Sequence, residues 1–504
     1  MIARTLTTVA VALAATCGTA VAQVHYHDDG NPWHQRANGG PDAEVPGWYY
    51  NLGITGLRAE LVDDAPTHLV VRHVFAKTPA DGKVKIGDHV VGADGADFET
   101  PHRNGYGMDV FGPTGPILDF ANALERAQTK TGKGKLRLAL LRDGKRIEVT
   151  LDVGREYGAF SPTFPAECDK SEKILDELLD WLVERQGDNG SWGLEPRDTF
   201  APLALLASGE KKYMAAVEKN VRFHAANTTT THEREGLLNW RYMSAAIVMS
   251  EYYLATHEKW VLPELQEVYD FLAWSQYMDL SQVNPRVKET HPQDWPKDAE
   301  QQHGGWGHNP GFEGYGPIAM LTGQGALAFS LMAHCGIEVD RAKLDAAYAF
   351  LERGSGDNGY VWYADSRGGG PDDWADMGRT GAAGIANLLA PYRDRAYRER
   401  ALEHAAVIGM HPESFPDTHG SPVMGMGYAA LAANADPKAF RSLMDANRWW
   451  FALSQCADGS FYYQPNRDNA GYGADSRLSA TAVTAFVLSI PKKSLHVFGK
   501  PFSE

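Results

Sequence analysis

Residues His303–Gly336 read HGGWGHNPGFEGYGPIAMLTGQGALAFSLMAHCG. The first half is glycine, tryptophan and histidine, the composition of a loop. The second half, from Pro317 to Ile337, carries no Asp, Glu, Lys or Arg. A charge-free run of that length is compatible with a membrane span. Gly323, Gln324, Gly325, Ser330 and His334 interrupt it, however, and no Lys or Arg flanks it closely. Other segments of the chain share its design. The run is therefore expected to be a helix buried on nearly every side inside a large soluble domain.

Six charge-poor segments, rich in Ala, Gly and Met, follow this pattern: Asp198–Ser208, Asn239–Thr256, Gly316–Cys335, Asp376–Leu389, Ser421–Asn434 and Arg477–Ser489. They alternate with amphipathic segments that are charged along one side: Ser171–Gln186, Lys212–Ala225, Pro263–Ser275, Asp340–Arg353, Arg393–Ile408 and Lys438–Leu453. In the first of these, Ile174, Leu178 and Leu182 form one stripe with Leu175, Leu179 and Val183 beside it. Asp169 with Glu172 offers a capping box at its start. The connections repeat too. GDNGSWG at 187–193 recurs as GDNGYVW at 356–362, as ADGSFYY at 457–463, and loosely as GGWG at 304–307. Hairpins of this kind cannot bury their faces singly and must stack. Closed on themselves, they predict an all-α (α/α)6 toroid over residues 168–490, with the charge-poor helices as the inner wall and all starting at one end.

The chain has 504 residues, 43% of them hydrophobic, enough for two or three domains with real cores. A formal charge of −16 argues against a nucleic-acid partner, because phosphate binding needs clustered cations. Thirteen Trp and 21 Tyr suit flat, partly polar ligands such as sugars, although most belong in cores. Met1–Ala22 reads as a signal peptide: Arg4, the apolar run Leu6–Ala15, then Ala20-Val21-Ala22. The expectation is export, periplasmic or secreted, with no membrane span after cleavage. Residues 23–47 form a flexible lead-in. Its His25, His27, Asp28, Asp29 and His34 could grip a metal ion, but a solvated tail is the plainer reading. Cys168, Cys335 and Cys456 are too few and too scattered for a disulfide framework, though one pair could form.

Residues 48–157 read as short strands with one helix. Strands are expected at 69–71 and 84–91, a helix at 115–128, and a hairpin around Asp143-Gly144. The stretch HVFAKTPADG at 73–82, followed by VKIGDHVVGADG at 84–95, resembles the core of a PDZ domain, a small β-rich α+β module. In that resemblance Leu52, Gly53 and Ile54 sit where the family has its carboxylate-binding loop. It implies backbone N–H groups that hold a peptide C-terminus, with the peptide added as an extra strand. The loop departs from the family pattern, and an insertion at 104–115 precedes the helix. Residues 158–167 read as a linker and 491–504 as a C-terminal tail. The turn repeats and the helical alternation over 168–490 resemble the toroid of terpenoid cyclases and protein prenyltransferases, including the squalene–hopene cyclases. The whole chain resembles a secreted bacterial family of unknown function.

In such a ring the pocket is the central funnel. Its wall is the first turns of the inner helices, whose N-terminal ends favour anionic or oxygen-rich groups. That condition selects a candidate catalytic set of Asp372, Asp373, Asp376, Arg379, His303, His308, Tyr315 and His419. It also selects a candidate ligand-binding set of Trp240, Tyr242, Trp306, Trp374 and Arg477. The three aspartates with Arg379 could hold a cation or share a proton. Alternatively, Asp373 or Asp376 caps a helix and Arg379 is an ion-pair partner. A His/Tyr/Arg set suits β-elimination from an acidic sugar, and paired carboxylates suit glycoside hydrolysis. The protonating motif of the hopene cyclases and the zinc set of the prenyltransferases are not visible. No nucleophile elbow, P-loop, HExxH or GxGxxG motif is present, so no motif requires a cofactor and no metal site is assigned. The functional expectation is an exported polysaccharide lyase or glycoside hydrolase acting on an extracellular glycan. The alternatives are a non-catalytic binder of peptide or glycan and, less favoured, a cyclase-like enzyme.

Overall fold

The computed structural model describes residues 48–102, 113–229, 236–366, 377–416, 422–464 and 477–502. The expected leader at 1–22 and lead-in at 23–47 lie outside the described residues. So do the candidate residues Asp372, Asp373, Trp374, Asp376 and His419.

The N-terminal part is one antiparallel sheet. Its strands are β1 (Trp48–Asn51), β2 (Leu57–Leu61), β3 (Leu69–Val74), β4 (His89–Ala93), β5 (Ala96–Asp97), β6 (Lys135–Arg142) and β7 (Lys145–Asp152). Their order is β1-β2-β3-β4-β6-β7, with β5 paired to β4. Helix α1 (Pro116–Ala127) buries Ile117, Phe120, Ala121 and Leu124. The hairpin forms as expected: Asp143 and Gly144 both take left-handed conformations, φ +50° and +73°, which a two-residue turn requires. The expected strand at 84–91 begins late, at His89. Before it, the Asp88 carboxylate accepts the Lys85 N–H at 2.8 Å and Arg142 at 2.7 Å, closing a turn in place of a ladder.

The rest is helical and alternates as the pattern requires. Outer helix α2 (Asp169–Glu184) precedes inner α3 (Glu195–Ser208), and α4 (Met214–Asn227) precedes α5 (Leu238–Thr256). Next come α6 (Val261–Ser275), the single turn α7 (Val287–Thr290) and inner α8 (Ala319–His334). Then α9 (Arg341–Arg353) precedes α10 (Met377–Leu388), and α11 (Arg395–Met410) precedes α12 (Pro422–Ala433). Last are α13 (Pro437–Ala446), α14 (Arg448–Ser454) and inner α15 (Arg477–Ser489). Each inner helix packs on the next, α3 on α5, then α8, α10, α12 and α15. Helix α15 packs back on α3, so the ring closes. Every residue of α8 from Ala319 to Met332 is buried, so its lack of charge reflects burial in the ring. Glycine lets these helices approach backbone to backbone: a Cβ on Gly381 would stand 2.3 Å from the Tyr428 carbonyl carbon.

The four repeat turns share one geometry. Gly190, Gly304, Gly359 and Gly459 are all left-handed, with φ +95°, +87°, +84° and +83°. Two residues after each, a backbone N–H is held by a side-chain oxygen of the following inner helix. Trp192 donates to Asp198 at 2.7 Å, Trp306 to Thr322 at 3.1 Å, Val361 to Thr380 at 3.1 Å and Phe461 to Thr481 at 2.9 Å. The loosest repeat in sequence, at Gly304, is a full member in geometry.

Three expectations change. The capping box at Asp169 and Glu172 does not form. Cys168 takes the cap position, and the first turn of α2 docks on α1, where buried Lys170 meets Glu125 at 2.5 Å and Gln128 at 3.0 Å. The expected helix 438–453 breaks at Asn447, whose amide instead donates to Pro412 O and Leu443 O, leaving α14 to turn toward the sheet. The tail is a floor beneath the inner helices. Ser494 donates to Ala207 O at the end of α3, and Asn434 after α12 donates to Phe498 O. The N–H groups of His496 and Val497 reach Glu251 of α5 at 3.1 and 2.7 Å. Cys168, Cys335 and Cys456 are buried thiols with no disulfide among them. No described helix is long and apolar enough to cross a membrane.

Candidate active site at the ring mouth

The inner helices begin at the end away from the floor, and their first N–H groups need acceptors. Helix α5 has no capping side chain of its own. Asn309 Oδ1 accepts the Leu238 N–H at 3.2 Å, and His308 O accepts the Asn239 N–H at 3.2 Å. Asn239 in turn donates to Gly307 O at 2.8 Å, so the glycine-rich loop is pinned to the helix start. Helix α8 is capped the same way, its Ala319 N–H donating to Tyr363 O at 2.8 Å. This borrowing of caps from neighbouring repeats carries His308, Tyr315 and Tyr363 to one place.

There the side chains form a directed series. Trp240 Nε1–H, a donor only, gives to His308 Nδ1 at 2.8 Å. Nδ1 is therefore an acceptor, and His308 is neutral with its proton on Nε2. Nε2–H then donates to the Tyr315 hydroxyl. Tyr363 OH donates to the same oxygen at 3.1 Å. With two donors facing its oxygen, the Tyr315 phenol can direct its own proton outward, and its side chain is 36% exposed. Burial holds the His308 pKa below the usual imidazole value, in agreement with the neutral ring. Arg379 stands behind Tyr363: its Nη2 donates to Tyr360 OH at 2.8 Å, and its guanidinium lies 5.6 Å from the Tyr363 ring centre.

Trp240 and His308 border a cavity of about 280 Å3. Its walls are mostly apolar, from Leu194, Pro196, Leu237, Val423 and Met424, with Glu195 and Ser479 adding polar atoms. A neighbouring cavity of about 240 Å3 shares Leu194 and Glu195 with the first. It is more polar, and Asp198 lies on its wall. Burial raises the Asp198 pKa to about 6, against bonds from Ser191 Oγ, the Trp192 N–H and Asn220 that favour the charged form.

Of the sequence-derived candidates, the structure thus joins His308, Tyr315 and Trp240 directly and Arg379 through Tyr363. It sets others apart. Trp306 is fully buried, its indole N–H given to Leu272 O at 2.9 Å. Tyr242 stacks on Phe271 in the core and donates to Thr229 O. Buried Arg477 pairs with Asp458 of the last repeat turn at 3.1 Å. His303 takes part through its backbone, whose carbonyl accepts from Arg353. Glu195 and Tyr363 were not anticipated. The signal for Glu195 was Pro196, a first-turn residue that starts α3 before Asp198. Among the described residues, no group of three His, Cys, Asp or Glu side chains is arranged to hold a metal ion.

The loop assigned to peptide capture is covered. Leu52, Gly53 and Ile54 are buried, and a Cβ on Gly53 would lie 2.7 Å from Ala452 O of α14. Strand β2 is paired on both sides, by β1 and β3. At the outer side of β1, the Gln464 amide bonds both the N–H and the C=O of Asn51, each at 3.0 Å.

A family model described as a domain of unknown function, DUF6288, matches residues 171–499, well over half of the chain. The chain belongs to this family. The DUF6288 match runs from α2 into the floor residues, so the floor is part of the domain and the sheet lies outside it. No curated protein matches the chain. Among solved structures, an inactive variant of the GH76A alpha-1,6-mannanase of Salegentibacter sp. HEL1_6, in complex with alpha-1,6-mannotriose, is similar at 12% identity and TM-score 0.47. That alignment covers 63% of this chain and 99% of the mannanase. A GH76 alpha-mannanase of Bacteroides thetaiotaomicron is similar at 12% identity and TM-score 0.44, covering 63% of this chain and 94% of the other. A type II terpene cyclase from Scytonema reaches 14% identity and TM-score 0.39, covering 64% of this chain and 97% of the cyclase. At these levels the likenesses carry no argument about the chemistry of the DUF6288 ring.

Proposed function

We propose that the DUF6288 ring is a glycan-cleaving enzyme, exported from the cell, whose active site is the ring mouth and whose proton-transfer group is Tyr315. The observation that supports this is the series from Trp240 through His308 to Tyr315, which spends the histidine on orienting the tyrosine and leaves the phenol proton to be given or taken. Among the described residues of the 280 Å3 cavity Glu195 is the carboxylate, with Asp198 on the wall of the neighbouring cavity. The reading as β-elimination from an acidic sugar unit rather than two-carboxylate hydrolysis rests on the histidine–tyrosine series. In that reaction Tyr315 acts first as the phenolate, its oxygen facing the donors of His308 and Tyr363. It takes the proton from the carbon next to the sugar carboxylate, and the C=C bond forms as the glycosidic C–O bond breaks. The phenol so formed returns the proton to the departing oxygen, while Arg379 adds positive charge behind Tyr363. The PDZ-like sheet serves as a brace on the ring, because its loop and first strand are already engaged by α14 and Gln464.

The test is wild-type protein and Tyr315→Phe on a panel of uronic-acid polysaccharides, following the ultraviolet absorbance of the unsaturated sugar that elimination leaves. Wild type should generate it, and the variant should be slower by about 10²–10⁴-fold with an unchanged melting temperature. Undiminished turnover in the variant would remove Tyr315 from the chemistry. New reducing ends without the absorbance would make the reaction a hydrolysis.

A further inference from the structure

The four repeat turns offer an internal control. Each needs one oxygen on the next inner helix to hold a backbone N–H. Three turns use a threonine hydroxyl, and the first uses Asp198. Holding that N–H needs no carboxylate, as Thr322, Thr380 and Thr481 show, although here Asp198 Oδ1 also takes the Asn220 amide at 3.0 Å. Asp198 brings a second oxygen, Oδ2, which takes the Ser191 hydroxyl at 2.5 Å. It is also the one of the four that borders a cavity among those described here, the 240 Å3 space beside the mouth.

The rest of that cavity has the chemistry of a sugar site. Phe223 lines it with an aromatic ring, Asn227 with an amide whose nitrogen also donates to Phe223 O at 2.8 Å, and Arg241 with a guanidinium 4.0 Å from Glu195. Carboxylates accept from vicinal hydroxyls, a guanidinium donates to their oxygens, and an aromatic face covers the C–H side of a pyranose. Glu195 and Arg241 balance one another's charge, and Asp198 adds a second acid to the same lining. A uronate would meet two acids there, whereas an uncharged unit meets donors and acceptors in balance. Glu195 and Leu194 line both cavities, so the two lie side by side.

We propose that the side cavity is a second subsite, taking an uncharged, hydroxyl-rich sugar unit next to the unit that reacts at Tyr315. This rests on the glycan reading above and adds that the ligand is an oligomer with a neutral neighbour. The experiment measures calorimetric affinity for a uronic-acid monosaccharide, a uronic-acid disaccharide and a disaccharide joining a uronic acid to a neutral hexose. Wild type should hold the mixed disaccharide about tenfold tighter than either of the others. Asn227→Ala, a change at an exposed position, should bring that ratio close to one while leaving the monosaccharide affinity in place. Asp198→Thr, which keeps an oxygen for the turn, should do the same in a protein that still melts cooperatively. Equal affinity for all three in wild type, or a ratio unmoved by both variants, overturns the subsite and leaves Tyr315 chemistry standing. No binding of any of the three, together with undiminished turnover in Tyr315→Phe, overturns both.

Discussion

The mouth and the floor of the ring are opposite ends of the same inner helices, and they treat polar groups differently. At the floor, the tail and the helix ends bond one another within the protein. The Glu251 carboxylate takes two backbone N–H groups, and Phe502 lies between the rings of His334 and His496, 3.4 and 4.1 Å from their centres. At the mouth, donors are arranged in sequence and end on a tyrosine that meets solvent. The same helix start that needs a cap borrows it from another repeat, and the borrowed segment arrives with a side chain of the proposed proton-transfer series. Stability and the proposed chemistry are thus separated along the helix axis.

The largest test of that separation is at the floor. Phe498 is fully buried against Phe486. Phe498→Ala should cost about 3–5 kcal/mol of stability, read from denaturant unfolding, with turnover per folded molecule retained. Lost turnover at unchanged stability would break the comparison. Next is Glu251, whose pKa burial raises to about 7. Its folded-state pKa lies above its unfolded value, so the folded protein holds the extra proton. The stability it contributes is full below the ordinary carboxylate range and is lost as pH rises through about 7. That loss is on the order of 3 kcal/mol and should flatten in Glu251→Gln, measured as unfolding free energy from pH 5 to pH 8. The smallest effect belongs to the mouth. Trp240→Phe removes the donor that keeps His308 Nδ1 unprotonated. Turnover should fall about tenfold and the acidic limb of the pH–rate profile should move to higher pH, with stability unchanged. An unmoved acidic limb would mean that burial alone keeps His308 neutral.

Much of the ring was readable from the chain because burial on all sides leaves a compositional mark. The charge-poor segment around Ala319–His334 falls within three residues of α8 at its start and one at its end. The repeat turns were legible by their recurring glycines, while the left-handed geometry of those glycines comes from the structure. The mouth was readable in part. His308, Tyr315 and Trp240 were selected by their place ahead of inner helices, but the same rule also selected Trp306 and Tyr242, which point into the core. Sequence position says which residues stand near a helix start, and side-chain direction depends on packing that no local pattern encodes. The floor left little trace, because Leu495, Val497 and Phe498 are a short apolar run with no period to distinguish it from a loose end. The break at Asn447 depends on an acceptor at Pro412, far away in the chain.

Asn51 and Gln464, which bond each other twice, are 413 residues apart. The sheet at the front of the polypeptide is therefore fastened to the last hairpin as well as to the first helix. The front module's docking surface thus stays uncovered until the segment carrying Gln464 has been made and the ring has closed. Nascent chains halted short of Gln464 should accordingly be open to protease at residues 158–167, and chains halted after the ring has closed should resist it.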